Sequence, residues 1–240
     1  MLALLAPPAS AADLTVAAAP SSREALLDLA GRFRQQTGHR VRFVVASSGK
    51  LFVQLRNGSP CALFFSADDV YPARLHALGL AEAPRPYAAG RLVLWASRAS
   101  GLSVARGLAA LGDLQGGKVA IANPELAPYG RAAEEALRAA GVYPAVSARL
   151  VLGENVAQAA HFAAVGAADA GVLPLSLALS PELEKRGRYA LVPDAMHAPI
   201  TASAAVVGAG PDRALARRFL AFCTSEGAKS VWRRHGLEPR

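Results

Sequence analysis

The stretch "VRFVVASSGKLFVQLRNGSPCALFF", residues 41–65, decides the fold. Residues 41–46 are apolar except for Arg42 and hold three β-branched valines, as a strand does. Ser47-Ser48-Gly49 then opens a helix over residues 50–56, with either serine able to cap it. Asn57-Gly58-Ser59-Pro60 is a turn, and residues 62–65 form a second strand. A strand, a helix and a strand in this order make a parallel sheet with a helix on its face.

The same alternation extends in both directions. Residues 14–19 read as a strand, and Ser21-Ser22-Arg23-Glu24 starts a helix that runs to residue 36. A further helix is expected around residues 72–78, and one long strand over residues 87–95. After a loose segment holding at most a short helix, the pattern resumes. Residues 118–122 lead into a helix from Pro128, residues 148–152 into a helix from Asn155, and residues 170–173 form another strand. Residues 189–192 and 202–207 are late strands, and helices over 211–223 and 225–235 close the chain. The two groups of units are joined by one crossing near Ala88 and a return near Pro193. That predicts an α/β protein of two lobes with a hinge between them, each lobe a mixed, mostly parallel sheet flanked by helices. The first lobe takes residues 13–87 and 194–240, and the second takes residues 88–193.

Composition narrows the chemistry. The 240 residues are 52% apolar, enough for real cores. Lys and Arg number 26 against 18 acidic residues, a formal charge of +8. Such a balance suits an anionic partner, but basic residues are not interleaved with aromatics, so nucleic acid is not expected. The histidines at 39, 76, 161, 197 and 235 have no metal-ligand spacing. Cys61 and Cys223 read as two buried thiols, with one disulfide as the alternative. The opening "MLALLAPPASAADLT" holds a short apolar run and a small-x-small Ala9-Ser10-Ala11, so residues 1–12 read as the remnant of a secretory signal.

Open α/β sheets bind ligands where strands end and helices begin. A helix start carries unpaired N–H groups and about half a positive charge, a ready anion site. Here such junctions recur at residues 17–24, 46–50, 126–133 and 153–160. They carry hydroxyls, small residues and backbone amides rather than clustered carboxylates or histidines. Any one of them is explained by helix capping. If two junctions from each lobe face each other, however, four helix ends converge on one cleft. In "NPELAPYGRAAEEAL", Pro128 shapes the helix entrance, Tyr129 offers a donor, and Gly130 is the small residue that lets an anion approach. Other motifs are weak. Ser47-x-x-Lys50 lacks the companion boxes of penicillin-binding enzymes, and "SSGKL" lacks the glycine and the Ser/Thr of a phosphate-binding loop. Asp68-Asp69 reads as a helix cap, and Lys50 as an exposed lysine able to attract anions at long range.

Three blocks together resemble one family. They are "SSGKLFVQLRNGSPCALFFSADD" (residues 47–69), "ANPELAPYGRAAEEALRAAGVY" (122–143) and "GENVAQAAHFAAVGAADAGVLPLS" (153–176). The chain resembles the periplasmic molybdate-binding proteins, the substrate receptors of molybdate ABC importers, from about Asp13 to its end. The resemblance implies a type II periplasmic-binding-protein fold and no enzymatic activity. It implies no cofactor, no protein-bound metal cation, and a molybdate or tungstate ligand held by hydrogen bonds alone. It implies a monomer in the periplasm that meets a membrane permease subunit.

Carried over by motif, Ser48 donates its hydroxyl and N–H, Tyr129 its N–H and hydroxyl, and Val156 its N–H. Ser47 and Gly130 flank these. In two places the sequence departs from the family. Pro20 stands where the family has Ser, Thr or Asn, and it has no N–H. Either Ser21 or Ser22 replaces that donor through a shifted loop, or the donor is lost. Where some members place a tyrosine on the last strand of the second lobe, Pro174 stands here, with Ser176 two residues on. The resemblance leaves other ligands open: a receptor for another oxyanion such as sulfate, or the ligand-sensing effector domain of a LysR-type regulator. The latter would need an N-terminal helix-turn-helix, for which the chain leaves no room.

Overall fold

The computed structural model describes residues 12–114, 116–208, 210 and 212–240. The expected leader (apart from Ala12) and the expected helix start at Pro211 lie outside the described residues.

The first part of the chain runs β1 (Asp13–Ala18), α1 (Arg23–Thr37), β2 (Arg40–Val45), α2 (Ser48–Arg56), β3 (Leu63–Phe65), α3 (Val70–Ala77) and β4 (Arg85–Gly90). The middle runs β5 (Leu92–Ser97), β6 (Val119–Ala122), α4 (Pro128–Ala139), α5 (Tyr143–Val146), β7 (Leu150–Gly153), α6 (Val156–Ala164), β8 (Ala170–Pro174), α7 (Leu175–Ala178), α8 (Pro181–Arg186) and β9 (Gly187–Leu191). The end returns with β10 (Thr201–Val206), α9 (Arg213–Cys223), α10 (Glu226–Arg234) and β11 (Leu237–Pro239).

These strands form two sheets. One has the order β11-β4-β10-β3-β1-β2 and the other β7-β6-β8-β5-β9. In the first, β1 lies parallel to β2 and β3, while β10 runs antiparallel to β3 and β4. In the second, β6 is parallel to β7 and β8, and β5 is antiparallel to β8 and β9. The chain passes from the first sheet to the second at Arg91 and returns between Leu191 and Thr201. The expected single strand over residues 87–95 is therefore two strands in different sheets. Gly90-Arg91 interrupts the apolar run at the break, but a single glycine and arginine are also tolerated within a strand.

Each sheet buries both faces because its strands alternate. Leu14, Val16 and Phe65 face α1, α9 and α10, where Leu26, Phe33, Phe219 and Trp232 pack. Their neighbours Ala17 and Phe64 point the other way, onto Leu51, Phe52 and Leu55 of α2. In the second sheet Leu94, Val119 and Ile121 meet Ala133 and Leu137 of α4, whereas Trp95 and Ala120 meet Ala159 and Ala163 of α6. The alanine-rich helices thus lie close on their strands. Cys61 and Cys223 are free, buried thiols in separate cores.

Candidate functional site

The strand-to-helix junctions meet between the two sheets. The first lobe brings Ala19, Pro20, Ser21, Ser47, Ser48 and Ala67 to a common cavity. The second brings Ala127, Pro128, Tyr129, Asn155 and Val156. None of these side chains is ionised at neutral pH. The cavity's free volume is about 10 Å³, the scale of one water molecule.

What faces the guest is a set of donors. Ser48, Tyr129 and Val156 stand in the first turns of α2, α4 and α6, where the N–H groups have no intrahelical partner. Among the described residues their N–H groups meet no protein acceptor, and neither does that of Ser21. The Ser48 hydroxyl accepts the Ala67 N–H at 3.0 Å, which leaves its proton free to donate. The Ser47 hydroxyl is buried without a partner. Asn155 Oδ1 is already used: it caps α6 by accepting the Ala157 and Gln158 N–H groups at 2.9 and 3.1 Å. The serine hydroxyls can accept as well as donate, so the lining is rich in donors and carries no carboxylate.

Tyr129 is buried, and its phenol packs against Gly90 beside the crossing between the sheets. Burial pushes its pKa well above 10, the neighbouring Tyr87 adds to the rise, and a hydrogen bond with Ser21 pulls the other way. The phenol therefore keeps its proton and remains a donor.

Three expected site residues, Ser22, Ser176 and Gly130, are placed differently. Pro20 starts a 3-10 turn, Pro20–Ser22, and the turn decides between the two serines. Ser21 lines the cavity. The Ser22 hydroxyl turns back to donate to the Ala19 carbonyl at 3.0 Å, away from the site. Ser176 lies on α7 outside the cavity lining, its hydroxyl buried and unpartnered. Gly130 does not serve anion approach. Its N–H donates to the Ala127 carbonyl at 2.9 Å, and a methyl group there would lie 2.3 Å from the Ala122 carbonyl oxygen. Its smallness lets α4 press against the end of β6. Sequence reasoning also missed Ala67 and Ala127, which line the cavity and carry no chemical signal of their own.

Contacts across the gap hold the lobes together around the cavity. The Gly49 N–H donates to the Leu126 carbonyl at 3.1 Å. Lys50 Nζ meets Glu154 Oε1 at 2.8 Å, and Arg131 Nη2 meets Asp68 Oδ2 at 2.6 Å. Asp68, rather than Asp69, caps α3: its Oδ1 accepts the Tyr71 N–H at 3.3 Å. Burial raises the Asp68 pKa, while Ser66, the Tyr71 N–H and Arg131 offset part of that rise. Among the described residues no group of His, Cys, Asp and Glu is placed to hold a metal ion.

Two α/β lobes around a buried, uncharged, donor-rich cavity define a class, the solute-binding proteins. The chain belongs to the bacterial extracellular solute-binding protein family, whose profile matches residues 14–238. It is 33% identical over 234 residues to the molybdate-binding protein ModA of Rhodobacter capsulatus, covering 97% of this chain and 90% of that one. It is also 33% identical over 235 residues to the ModA of Azotobacter vinelandii, covering 97% and 92%. The structure of the Azotobacter vinelandii periplasmic molybdate-binding protein superposes with a TM-score of 0.86 at 32% identity, covering 93% of this chain and 98% of that one.

Proposed function

We propose that this chain is a periplasmic receptor that binds molybdate between its lobes and delivers it to the permease of an ABC importer. Tungstate, nearly the same in size and charge, is bound as well. The observation that carries this reading is the donor-rich cavity without a carboxylate: N–H groups of Ser21, Ser48, Tyr129 and Val156 and the serine hydroxyls, with Asn155 Oδ1 already committed. The named relatives support the same ligand.

A donor-rich cavity without a carboxylate favours a fully ionised tetrahedral dianion. Hydrogen phosphate brings a proton that only a hydroxyl oxygen could accept, and leaving it unpaired costs about 1–3 kcal/mol. Hydrogen bonds to a charged group contribute about 1.5–3 kcal/mol each. Five or six give about 10 kcal/mol before ordering costs, in the range of a micromolar to nanomolar ligand. Ser21 takes the place of the donor that Pro20 removes. Sulfate, also a fully ionised tetrahedral dianion, satisfies the same donors, so its comparison with molybdate is a measurement of cavity size. No residue of the site pairs a nucleophile with a base, so the reading is binding without turnover.

Titration calorimetry with molybdate, tungstate, sulfate and phosphate tests it. Molybdate and tungstate are expected to bind at micromolar affinity or better, with tungstate displacing molybdate, and phosphate should give no heat. Absence of molybdate heat at micromolar protein, or phosphate binding as tight as molybdate, would overturn it.

A further inference from the structure

Resting on that reading, we propose that the Arg131–Asp68 ion pair is the latch of the closed receptor: it holds the lobes shut and sets how slowly the anion leaves, without touching it. Neither residue lines the cavity. Arg131 lies on α4 two residues beyond Tyr129, so the helix that offers a donor to the ligand also carries the latch. On the first lobe the acceptor is held ready. The Ser66 hydroxyl donates to Asp68 Oδ1 at 2.9 Å and the Tyr71 N–H to the same oxygen at 3.3 Å, leaving Oδ2 for Arg131 Nη2 at 2.6 Å.

The pair continues into a seam. The Arg131 guanidinium lies 5.8 Å from the centre of the Tyr71 ring. The Tyr71 phenol in turn crowds Gly49, whose N–H crosses to Leu126: a methyl group at Gly49 would lie 2.8 Å from Tyr71 Oη and 3.0 Å from the Leu126 carbonyl. The other bridging pair is different in kind. The Lys50 and Glu154 side chains are each 43% exposed, so water screens them. The Asp68 side chain is only 9% exposed. Parting the lobes removes its one cationic partner, and that loss opposes opening.

Stopped-flow release of molybdate and tungstate tests the latch in wild type, Arg131→Ala, Arg131→Lys, Lys50→Ala and Arg131→Ala/Asp68→Asn. Arg131→Ala is expected to speed release about ten-fold, the size of a typical coupling between contacting residues, with the association rate within about two-fold. Arg131→Lys should recover most of the slow release, and Lys50→Ala should match wild type. The double variant should release no faster than Arg131→Ala. Wild-type release from Arg131→Ala, or additive effects in the double variant, would overturn the latch. Small-angle scattering of the ligand-free proteins reads the latch independently of the ligand. Arg131→Ala should shift to a larger radius of gyration, and an unchanged radius would overturn the latch. A wild-type protein that binds neither anion would overturn the ligand assignment alone.

Discussion

Ser48 reaches the cavity with its acceptor capacity partly spent on Ala67, so its remaining role is to donate. Removing that hydroxyl costs one charge-assisted hydrogen bond and leaves the Ala67 N–H unpaired inside the protein. Ser48→Ala is therefore expected to weaken molybdate binding by about 10- to 100-fold, from the 1.5–3 kcal/mol such a bond is worth. Tyr129→Phe keeps the backbone N–H and should cost less, about five-fold or under. Calorimetric dissociation constants check both, and an unchanged Ser48→Ala or a Tyr129→Phe loss larger than that of Ser48→Ala contradicts the geometry. At this scale the sequence was informative where the helix start itself sets direction. Ser48, Tyr129 and Val156 were legible because the first residues of a helix must leave their N–H groups open. The choice between Ser21 and Ser22 was not legible. It depends on how a three-residue 3-10 turn rotates after Pro20, and adjacent serines look alike to any pattern. Ser176 was a matter of position in the family rather than of chemistry, and nothing in its neighbours showed that α7 turns it from the cavity.

Helix α4 couples packing to binding. Its buried face is Ala132, Ala133, Ala136 and Leu137, and Pro128 occupies a first-turn position where a missing N–H costs nothing. Gly130 then lets the helix settle on the end of β6. Gly130→Ala places a methyl group against the Ala122 carbonyl, which is backbone and cannot swing aside. The variant should lose about 1–3 kcal/mol in urea unfolding, the usual cost of overpacking, and its molybdate affinity should fall because the Tyr129 N–H moves with the helix. Wild-type stability together with wild-type affinity would refute this account of α4. Elements with strong strand-to-helix punctuation, such as β1, β2, α2 and α6, were readable to within a residue or two. β4 and β5 were read as one strand, because only Arg91 lies between them and the chain changes sheets there without a loop. β11 escaped notice because Leu237–Pro239 is too short to have a period and ends in proline.

At the scale of the whole molecule, the formal charge of +8 and the uncharged cavity act at different ranges. Net charge draws anions toward the protein within a Debye length or so and says little about which one stays. In the proposed reading selection falls to short hydrogen bonds from both lobes, because Ser21, Ser47 and Ser48 line the cavity from one and Tyr129 and Val156 from the other. On that reading neither lobe alone completes the cradle, so the anion adds its differential affinity for the closed form to the cross-lobe contacts that already favour it. The overall plan was visible in the sequence because two groups of strand–helix units with a crossing between them allow few arrangements. The cross-lobe contacts were not, since Asp68 and Arg131 are 63 positions apart and only the closed fold brings them together.

The most direct test of the central claim is the crystal structure of the protein grown with tungstate, with anomalous scattering used to locate the metal. The account predicts one dominant anomalous peak in the interlobe cavity, its oxygens within hydrogen-bond distance of the N–H groups of Ser21, Ser48, Tyr129 and Val156. A cavity without the peak, or tungstate held instead by arginine and lysine side chains on the surface, would contradict it.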